Sequence, residues 1–387
     1  MPFRIPQTTK AFRLHGAEDL RLESVPVPGV GDDDALFETK AIGLCASDGK
    51  LYHAGDGHAR REGSATTLAE KPVIICHEWA GIAVAKGKNV GDAVRLGEVY
   101  TFQAALFDPF DQGKSKALGY FLDGAATQFA RLGREVIQGG YLVPAPKNLG
   151  YAQIAIAEPW ACVYHAYENH RDTRCVLPGG NTWVIGAGPL GLMHLEKAIR
   201  SGAARVYVSE LSPVRLGKVA DTYAAIAREH DVELVIIDLR SERPDEVIPD
   251  ESVDDVILAA PVAQAATGSL RKLSKGAFAN LFAGIPKDRA AISLDLHWMH
   301  YYDITLIATS GSTIANFKEA LNDASQGVID PNNVIAAVGG MDAIREAFQA
   351  VLQGTYPGKV VIYPQIEHLL TGVTNWTIED ERALLGG

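Results

Sequence analysis

The stretch Thr182-Trp183-Val184-Ile185-Gly186-Ala187-Gly188-Pro189-Leu190-Gly191 decides the fold of this 387-residue chain. Residues 182–185 predict a strand that runs directly into a glycine turn, and a helix follows the turn. Gly186 permits the tight turn, Gly188 lets the backbone approach a pyrophosphate, and Gly191 lets the helix pack closely against the strand. The free N–H groups at the start of that helix attract anions. The stretch therefore predicts a dinucleotide-binding turn, with an ordinary strand-to-helix turn as the alternative.

The strand after the turn ends at Glu210, about 20 residues further on, where dinucleotide-binding folds carry an acidic residue. A carboxylate there accepts hydrogen bonds from the ribose hydroxyls and repels a 2′-phosphate, so it favours NAD over NADP. Ser212 and Arg215 follow closely and keep NADP open as the less favoured cofactor. The candidate cofactor-binding residues are Gly186, Gly188, Pro189, Leu190, Gly191, Glu210 and Arg215.

The pattern on either side of the turn divides the chain into domains. Strands and helices alternate from residue 182 onward, which predicts a doubly wound parallel sheet of the Rossmann type covered by helices. The earlier residues form short strands broken by Gly and Pro, which predicts a β-rich, barrel-like domain. Its predicted strands include residues 35–42, 73–75, 81–85 and 93–96. The expected domains are a β-rich catalytic domain over 1–160, a nucleotide-binding domain over 161–312, and a segment over 313–387 that completes the first domain.

Composition narrows the class of protein and its compartment. The formal net charge of -11 argues against a nucleic-acid partner, because phosphate backbones require a basic footprint. The four cysteines are scattered and form no C-x-x-C pair, so we expect neither a disulfide framework nor a structural zinc site. An apolar signal core and a run of about 18 apolar residues are both lacking. We therefore expect no membrane association and a cytoplasmic location.

Three residues with metal-binding chemistry lie far apart in the sequence: Cys45, His77 and Glu158. Thiolate, imidazole and carboxylate are all good zinc ligands, and three protein ligands with one open position are typical of a catalytic zinc site. Each residue also has an ordinary explanation. A buried cysteine usually packs as a small hydrophobe, a His-Glu pair can lie at the surface, and Glu-Pro can start a helix. Spacing this wide carries no strong metal signal, so the residues alone leave both interpretations open.

The segments around these residues resemble the zinc-dependent medium-chain alcohol dehydrogenases over nearly the whole chain. The resemblance rests on Leu44-Cys45-Ala46-Ser47-Asp48, Cys76-His77-Glu78, Gly91-Asp92-Ala93-Val94 and Gly358-Lys359-Val360-Val361. Glu158-Pro159, which stands in place of a cysteine ligand, resembles the polyol and sugar-alcohol branch of that family. A narrower likeness to the L-sorbose-1-phosphate reductases rests on Cys45-Ala46-Ser47-Asp48-Gly49-Lys50, Gly55-Asp56-Gly57-His58-Ala59-Arg60 and Glu158-Pro159-Trp160-Ala161-Cys162.

The resemblance implies a fold and a role for each matching residue. It implies a GroES-like barrel catalytic domain and a Rossmann domain. It also implies one catalytic zinc without a structural zinc, because residues 95–130 contain no cysteine. The implied metal residues are Cys45, His77 and Glu158 as ligands and Glu78 as an alternate ligand or electrostatic support. The implied catalytic residues are Ser47, which passes a proton from the substrate hydroxyl, Asp48, which orients His77, and Lys50, which stands near the place of a missing proton-relay histidine.

Cys76 departs from the family pattern, since it replaces the usual glycine before the ligand histidine. We expect it to be a buried spectator, because buried cysteines usually only pack. The polar segment over residues 52–61 is a further point of interest, since guanidinium groups match phosphate. Its candidate substrate residues are His53, His58, Arg60 and Arg61. The alternative for this segment is a solvated loop with ordinary surface charge.

The implied activity is a zinc-dependent, NAD-linked interconversion of a secondary alcohol of a polyol or sugar with its ketone. A sugar phosphate is among the candidate substrates. One alternative is a zinc-free NAD(P)H reductase of the same fold, although such relatives lack the Cys-His-Glu set. Another is a non-catalytic dinucleotide-binding protein, in which Ser47 and Asp48 would have little use. Relatives associate through the nucleotide domain, so we expect a homodimer or homotetramer with a small-molecule substrate.

Overall fold

The computed structural model describes residues 3–107, 111 and 115–386. The chain divides into two compact units. The first combines Met1–Pro159 with Ser312–Gly387, and the second spans Trp160–Gly311. Within the described ranges, no helix is long and apolar enough to cross a membrane.

The amino-terminal part of the first unit consists mainly of short strands, because apolar runs alternate with turn-forming residues. The strands are β1 (Thr8–Gly16), β2 (Asp19–Pro26), β3 (Ala35–Leu44), β4 (Val73–Ile74), β5 (Glu78–Lys86), β6 (Val99–Phe102), β7 (Ala105–Phe107), β8 (Ser115–Ala117), β9 (Phe129–Leu132) and β10 (Leu142–Pro144). The helices are α1 (Ala46–Ala54), α2 (Arg134–Ile137) and α3 (Tyr151–Ala155). Two 3₁₀ turns, Gly55–Gly57 and Ala59–Arg61, follow α1.

The second unit alternates strands and helices. Its strands are β11 (Asn181–Ile185), β12 (Arg205–Glu210), β13 (Glu233–Asp238), β14 (Val253–Leu258), β15 (Leu273–Leu281) and β16 (Thr305–Ala308). The helices of this part of the chain are α4 (Ala157–Ala166), α5 (Pro189–Arg200), α6 (Pro213–Lys218), α7 (Ala224–Glu229), α8 (Pro244–Val247), α9 (Ala263–Ser269) and α10 (Leu296–Tyr301). A π-helical turn, Val219–Tyr223, joins α6 and α7.

The sheet of the second unit is parallel throughout. Its strands lie in the order β13-β12-β11-β14-β15-β16. This is the strand order of a doubly wound Rossmann sheet, with the glycine turn directly after the central strand β11. The central strands consist mainly of apolar residues, because helices cover such sheets on both faces. The predicted fold class is therefore confirmed for this unit.

The end of the chain returns to the first unit. It forms α11 (Ile314–Ser325), β17 (Ile335–Gly340), α12 (Ile344–Gln353), β18 (Lys359–Tyr363), β19 (Thr371–Gly372) and α13 (Ile378–Leu385). The main sheet has the order β10-β6-β5-β3-β18-β17-β19, and β9 also pairs with β3. A smaller sheet has the order β2-β1-β4. The β-rich architecture predicted for the catalytic domain is confirmed.

Strand register in the main sheet determines which residues meet. The antiparallel pairing of β3 with β5 sets Gly43 opposite Glu78. The antiparallel pairing of β3 with β18 sets Leu44 opposite the residue after Lys359. Since Cys45 follows Leu44 directly, the register alone brings a thiol, a carboxylate and an amine to one end of three neighbouring strands.

A buried tryptophan anchors the start of β5. Trp79 stacks on Phe102 with ring centroids 5.1 Å apart and meets Phe37 edge-on at 5.3 Å. Its Nε1 donates to the Thr39 hydroxyl at 3.1 Å, so no polar atom of the indole is left unpaired. Aromatic pairs of this kind contribute about 0.5–1.5 kcal/mol beyond their buried area. The residues just before Trp79 are therefore held firmly.

The predicted strand at residues 93–96 is wrong. The backbone there forms a 3₁₀ turn, Gly91–Ala93, and Gly91 has a φ of 58°. Lys86 Nζ donates to the carbonyl oxygens of Gly91 and Val94 at 2.6 and 2.8 Å. The amine therefore ties this turn to the end of β5, and the strand that pairs with β5 on this side is β6.

Candidate active site

Asp48 connects the start of α1 to the imidazole of His77. Cys45 is the residue before the helix and has extended backbone angles, with φ −116° and ψ 142°. Its backbone N–H donates to Asp48 Oδ2 at 3.2 Å. The other oxygen, Oδ1, lies 2.9 Å from His77 Nδ1. An ionised carboxylate only accepts hydrogen bonds, so Nδ1 carries the proton and the lone pair of Nε2 is left for a metal.

Cys45, His77 and Glu78 form a compact donor group. One ligand atom from each lies within 4.8 Å of the others. Burial lowers the pKa of His77, but Tyr120, Asp48 and Cys45 raise it more, so its pKa lies well above the usual range. Ser47 lies beside the same group: its hydroxyl donates to Cys45 Sγ at 3.1 Å and lies 3.4 Å from His77 Nε2. Sulfur, nitrogen and oxygen donors at this spacing suit a zinc ion.

The carboxylate of Glu78 is fully buried at the start of β5. Its Oε1 is paired with the amine of Lys359, whereas Oε2 has no hydrogen-bond partner among the described residues. A Cβ on Gly43 would lie 2.2 Å from Oε2, so only glycine leaves room for the carboxylate at that position. A buried, unpartnered oxygen beside a thiol and an imidazole is the arrangement expected where a cation binds.

Glu158 lies outside the donor group defined by the 4.8 Å spacing but is electrostatically coupled to it. It occupies the first turn of α4. Burial raises the pKa of Glu158, and Glu78 raises it further, while His77 and Lys359 oppose the shift. In this structure Glu78 is thus the carboxylate grouped with Cys45 and His77, and Glu158 is their acidic neighbour.

Cys76 adopts a backbone conformation that favours glycine, with a φ of 70°. Its side chain is fully buried in the core of the first unit, and burial raises the pKa of the thiol well above its usual range. Its carbonyl oxygen accepts from the backbone N–H of Ala125 at 2.8 Å. The glycine that the resemblance implies at this position would adopt the left-handed φ without a steric penalty.

Tyr120 belongs to the site although no short sequence pattern marks it. Its hydroxyl donates to Ser47 Oγ at 3.0 Å. Its ring contacts two imidazoles, with centroids 5.4 Å from His77 and 5.3 Å from His58. Burial raises the pKa of Tyr120, so the phenol stays protonated at neutral pH. Only the turn that follows β8 carries this side chain to a serine 73 positions earlier.

The four basic residues predicted for an anion grip have different surroundings. Arg61 is only 4% exposed, and its guanidinium donates to Asp56 Oδ1 at 3.1 Å and to the Tyr120 carbonyl at 2.7 Å. In this structure the donors of Arg61 hold the loop together, and its contact with substrate stays a prediction. His53 is exposed and lies 3.0 Å from Glu18.

Arg60 and His58 remain beside the site. The guanidinium carbon of Arg60 lies 5.5 Å from the centroid of the Tyr120 ring. Burial lowers the pKa of His58, and the charges of Arg60 and Lys50 lower it further. Lys50 itself is exposed on α1. Arg60 therefore places positive charge near Tyr120, and Lys50 places positive charge near His58.

The glycine turn of the second unit has the geometry that its sequence predicts. Gly186 has a φ of 96°. A Cβ on Gly191 would lie 2.0 Å from the carbonyl oxygen of Gly186, so a side chain there would separate the helix from the strand. Gly188 precedes α5, in which Pro189 and Leu190 form the first turn. Its own Cβ would meet only the guanidinium of Arg215, at 3.8 Å or more, so its surface is open to a ligand.

Glu210 supports the turn with both carboxylate oxygens. Oε2 accepts from the backbone N–H of Ala187 at 2.8 Å, and Oε1 accepts from those of Leu211 and Ser212 at 2.7 and 3.0 Å. Arg215 Nη1 lies 3.4 Å from Oε2. Burial raises the pKa of Glu210, but these backbone bonds and Arg215 lower it more. The carboxylate is therefore ionised and already engaged, and its contact with a ribose remains a prediction.

Comparison with known proteins places the chain in a family. The alcohol dehydrogenase GroES-like domain matches residues 31–145. The chain is 30% identical to a sorbitol dehydrogenase of Bombyx mori over 60% of this chain and 67% of that protein. It is 27% identical to a mannitol-1-phosphate 5-dehydrogenase of Aliivibrio fischeri over 96% of this chain and 90% of that protein. It is 25% identical to an L-sorbose 1-phosphate reductase of Klebsiella pneumoniae over 92% of this chain and 88% of that protein.

A solved structure supports the same fold. The 2R,3R-butanediol dehydrogenase of Bacillus subtilis matches with a TM-score of 0.76 at 21% identity, over 92% of this chain and 99% of that one. The resemblance to dehydrogenases noted in the sequence is confirmed. The chain belongs to the medium-chain alcohol dehydrogenase family, in the polyol branch that includes the sorbitol dehydrogenases, and is an alcohol or polyol dehydrogenase.

Proposed function

We propose that this enzyme interconverts a secondary alcohol of a polyol or sugar with its ketone, using one zinc ion and NAD. The observation that carries the proposal is the donor group of Cys45, His77 and Glu78, with ligand atoms within 4.8 Å of one another. Asp48 holds the other nitrogen of His77, which is the support that a metal-bound histidine requires. The two alternatives, a zinc-free reductase and a non-catalytic nucleotide-binding protein, give this arrangement no use.

The donor set fits zinc. A thiolate excludes the hard cations that prefer only oxygen ligands, and a thiolate with an imidazole and a carboxylate is a mixed set that zinc accepts. The buried Glu78 Oε2 without a partner supplies a negative oxygen that a cation would satisfy. When bound, zinc would polarise the substrate oxygen and lower the pKa of the hydroxyl. The residues that would hold it are Cys45 and His77, with Glu78 or Glu158 as the carboxylate.

Ser47 is the residue that we assign to the proton of the substrate hydroxyl. Its Oγ lies 3.1 Å from Cys45 Sγ and 3.4 Å from His77 Nε2, so it borders the donor group directly. In oxidation, Ser47 Oγ would accept the hydroxyl proton as Ser47 releases its own hydrogen to solvent, and NAD⁺, when bound, would accept the hydride of the alcohol carbon. The products are the ketone, NADH and one proton. Reduction of the ketone is the reverse of these steps.

The glycine turn and Glu210 support NAD as the cofactor. The open surface at Gly188 and the start of α5 suit a pyrophosphate. Glu210 is ionised at the end of β12, where its charge repels a 2′-phosphate. Arg215 lies beside Glu210 and is the residue that would contact the 2′-phosphate of NADP.

The names of the relatives support a polyol or sugar as the substrate, including phosphorylated sugars. Arg60 provides positive charge near Tyr120 and Lys50 provides it near His58, which supports a phosphorylated substrate over a neutral one. We also expect the enzyme to act as a homodimer or homotetramer.

A substrate panel with metal analysis tests the proposal. Purified enzyme is assayed with polyols, ketoses and their phosphates, with NAD or NADP, by nicotinamide absorbance. We expect about one zinc per chain, activity with NAD on at least one substrate class, and a measurable kcat lowered about 10²- to 10⁴-fold in Ser47→Ala. A zinc content far below one per chain in active enzyme would contradict the zinc assignment. A clear preference for NADP would contradict the assignment of NAD as the cofactor.

A further inference from the structure

Three side chains form a directed chain of hydrogen bonds that ends at the donor group. The Tyr120 hydroxyl donates to Ser47 Oγ at 3.0 Å, and the Ser47 hydroxyl in turn donates to Cys45 Sγ at 3.1 Å. A serine hydroxyl has one hydrogen and two lone pairs. Since Tyr120 occupies one lone pair as a donor, the single hydrogen of Ser47 must point elsewhere. In the structure it points toward the donor group.

We propose that Tyr120 is a positioning residue that directs the hydrogen of Ser47 toward the oxygen of the substrate. This inference rests on the proposed function. Once the substrate hydroxyl has lost its proton, the alkoxide oxygen needs a hydrogen-bond donor, and a preoriented donor stabilises that charge without reorganisation. Tyr120 donates to Ser47 and thereby favours the orientation in which Ser47 donates to the alkoxide. No proton passes through Tyr120 in this account.

The protein holds Tyr120 in place from both its backbone and its ring. The buried Arg61 donates to the Tyr120 carbonyl at 2.7 Å, and Arg61 is itself fixed by Asp56 Oδ1 at 3.1 Å. The ring contacts the imidazoles of His77 and His58. With the main chain and the ring both restrained, the hydroxyl has little freedom to leave Ser47. The buried Arg61 thus holds the backbone of Tyr120 in place, a role that the sequence did not predict.

Tyr120→Phe tests the proposal, because it removes only the hydroxyl. We expect kcat to fall about 10- to 100-fold, as for other residues that orient a catalytic group, while KM changes less than about threefold. The matched control is Tyr141→Phe, which removes a hydroxyl that hydrogen-bonds the backbone of Phe107 in the same unit. The control should keep the wild-type kcat. Equal kcat in Tyr120→Phe and wild type would overturn the proposal.

A double-mutant cycle shows whether Tyr120 acts through Ser47. In a Ser47→Ala background, Tyr120→Phe should lower kcat by less than about twofold, because the group that it orients is gone. If instead the two losses multiply, Tyr120 acts independently of Ser47 and the proposal is wrong.

Zinc retention provides a readout that does not depend on turnover. In competition with a chelator, Tyr120→Phe should hold zinc within about threefold of wild type, whereas loss of a residue that supports a ligand costs about 10- to 100-fold. A tenfold or larger loss of zinc affinity would assign Tyr120 to metal support and overturn the positioning role. Failure of the proposed function is distinct, since wild-type enzyme would then lack zinc or dehydrogenase activity.

Discussion

The amine of Lys359 and the carboxylate of Glu78 form a buried ion pair beside the candidate metal ligands, and both side chains are less than 5% exposed. The two residues are 281 positions apart, and the pairing of β18 and β5 with β3 brings them together. Burial lowers the pKa of Lys359, but Glu78 and Cys45 raise it more, so the amine stays charged. The pair leaves Glu78 Oε2 as the oxygen available to a cation.

Removal of the Lys359 amine should destabilise the metal-free protein. In Lys359→Met, Glu78 becomes an unpaired buried charge, and the free energy of unfolding should fall by about 3–5 kcal/mol. Urea unfolding followed by tryptophan fluorescence measures the loss. The control is the double variant Lys359→Met with Glu78→Gln, which removes both charges and should recover most of the stability. An equal loss in the single and double variants would contradict the ion-pair explanation.

Zinc affinity should rise with pH between about pH 5 and 8. The pKa of His77 is raised well above its usual range, and a histidine must give up any proton on its ligating nitrogen to bind zinc, so protons compete with the metal. Chelator competition at several pH values, with proton release measured in weak buffer, checks this. An affinity that does not change with pH would contradict it.

In metal-free protein, a rise in pH should lower the free energy of unfolding, whereas the same rise should increase zinc affinity. A raised folded-state pKa means that protonated His77 stabilises the fold fully below the ordinary value of 6.5. That contribution is lost as the pH rises through the folded-state pKa.

Arg60 and Arg61 should respond differently to the same substitution. Arg61→Met leaves the Tyr120 carbonyl and Asp56 without their guanidinium donor, so the free energy of unfolding should fall by about 1–3 kcal/mol. Arg60→Met, at an exposed position, should change it by less than about 0.5 kcal/mol. Thermal and urea unfolding measure both effects. If Arg60 binds a substrate phosphate, Arg60→Met should raise KM for the phosphorylated substrate only.

Loss of the Glu210 carboxylate should weaken NAD binding. In Glu210→Ala, the N–H groups of Ala187, Leu211 and Ser212 lose their acceptor, and the turn is no longer held. We expect KM for NAD to rise about tenfold and the discrimination against NADP to shrink, because the charge that repels a 2′-phosphate is gone. Steady-state kinetics with both nucleotides checks this. An unchanged KM for NAD would refute the role of Glu210.

Part of the candidate site could be predicted because its residues lie in short local segments. Ser47 and Asp48 follow Cys45 within one turn of α1, and Glu78 follows His77 directly, so each segment carries its chemistry in adjacent positions. Tyr120 could not be predicted in this way, since it reaches Ser47 from 73 positions away and no pattern at its own position indicates a partner.

Charge alone could not distinguish the surroundings of the two arginines in the loop after α1. Arg60 and Arg61 are adjacent and chemically identical, yet Arg61 is buried and Arg60 is exposed. The 3₁₀ turn Ala59–Arg61 points successive side chains in different directions, and only one of them reaches the Tyr120 carbonyl. A sequence cannot separate two such neighbours, because the difference lies in what surrounds them.

The sequence by itself determined the nucleotide turn, because the requirement for glycine there is local: Gly186 needs its φ of 96°, and a Cβ on Gly191 would collide with the carbonyl of Gly186. Tertiary structure alone decided how the metal-binding residues meet. Strand register sets Gly43 opposite Glu78 and brings Lys359 beside it, and those distances depend on pairings between segments far apart in the chain. Backbone conformation is decided by neighbouring atoms, whereas a donor group of scattered residues exists only once the sheet has formed.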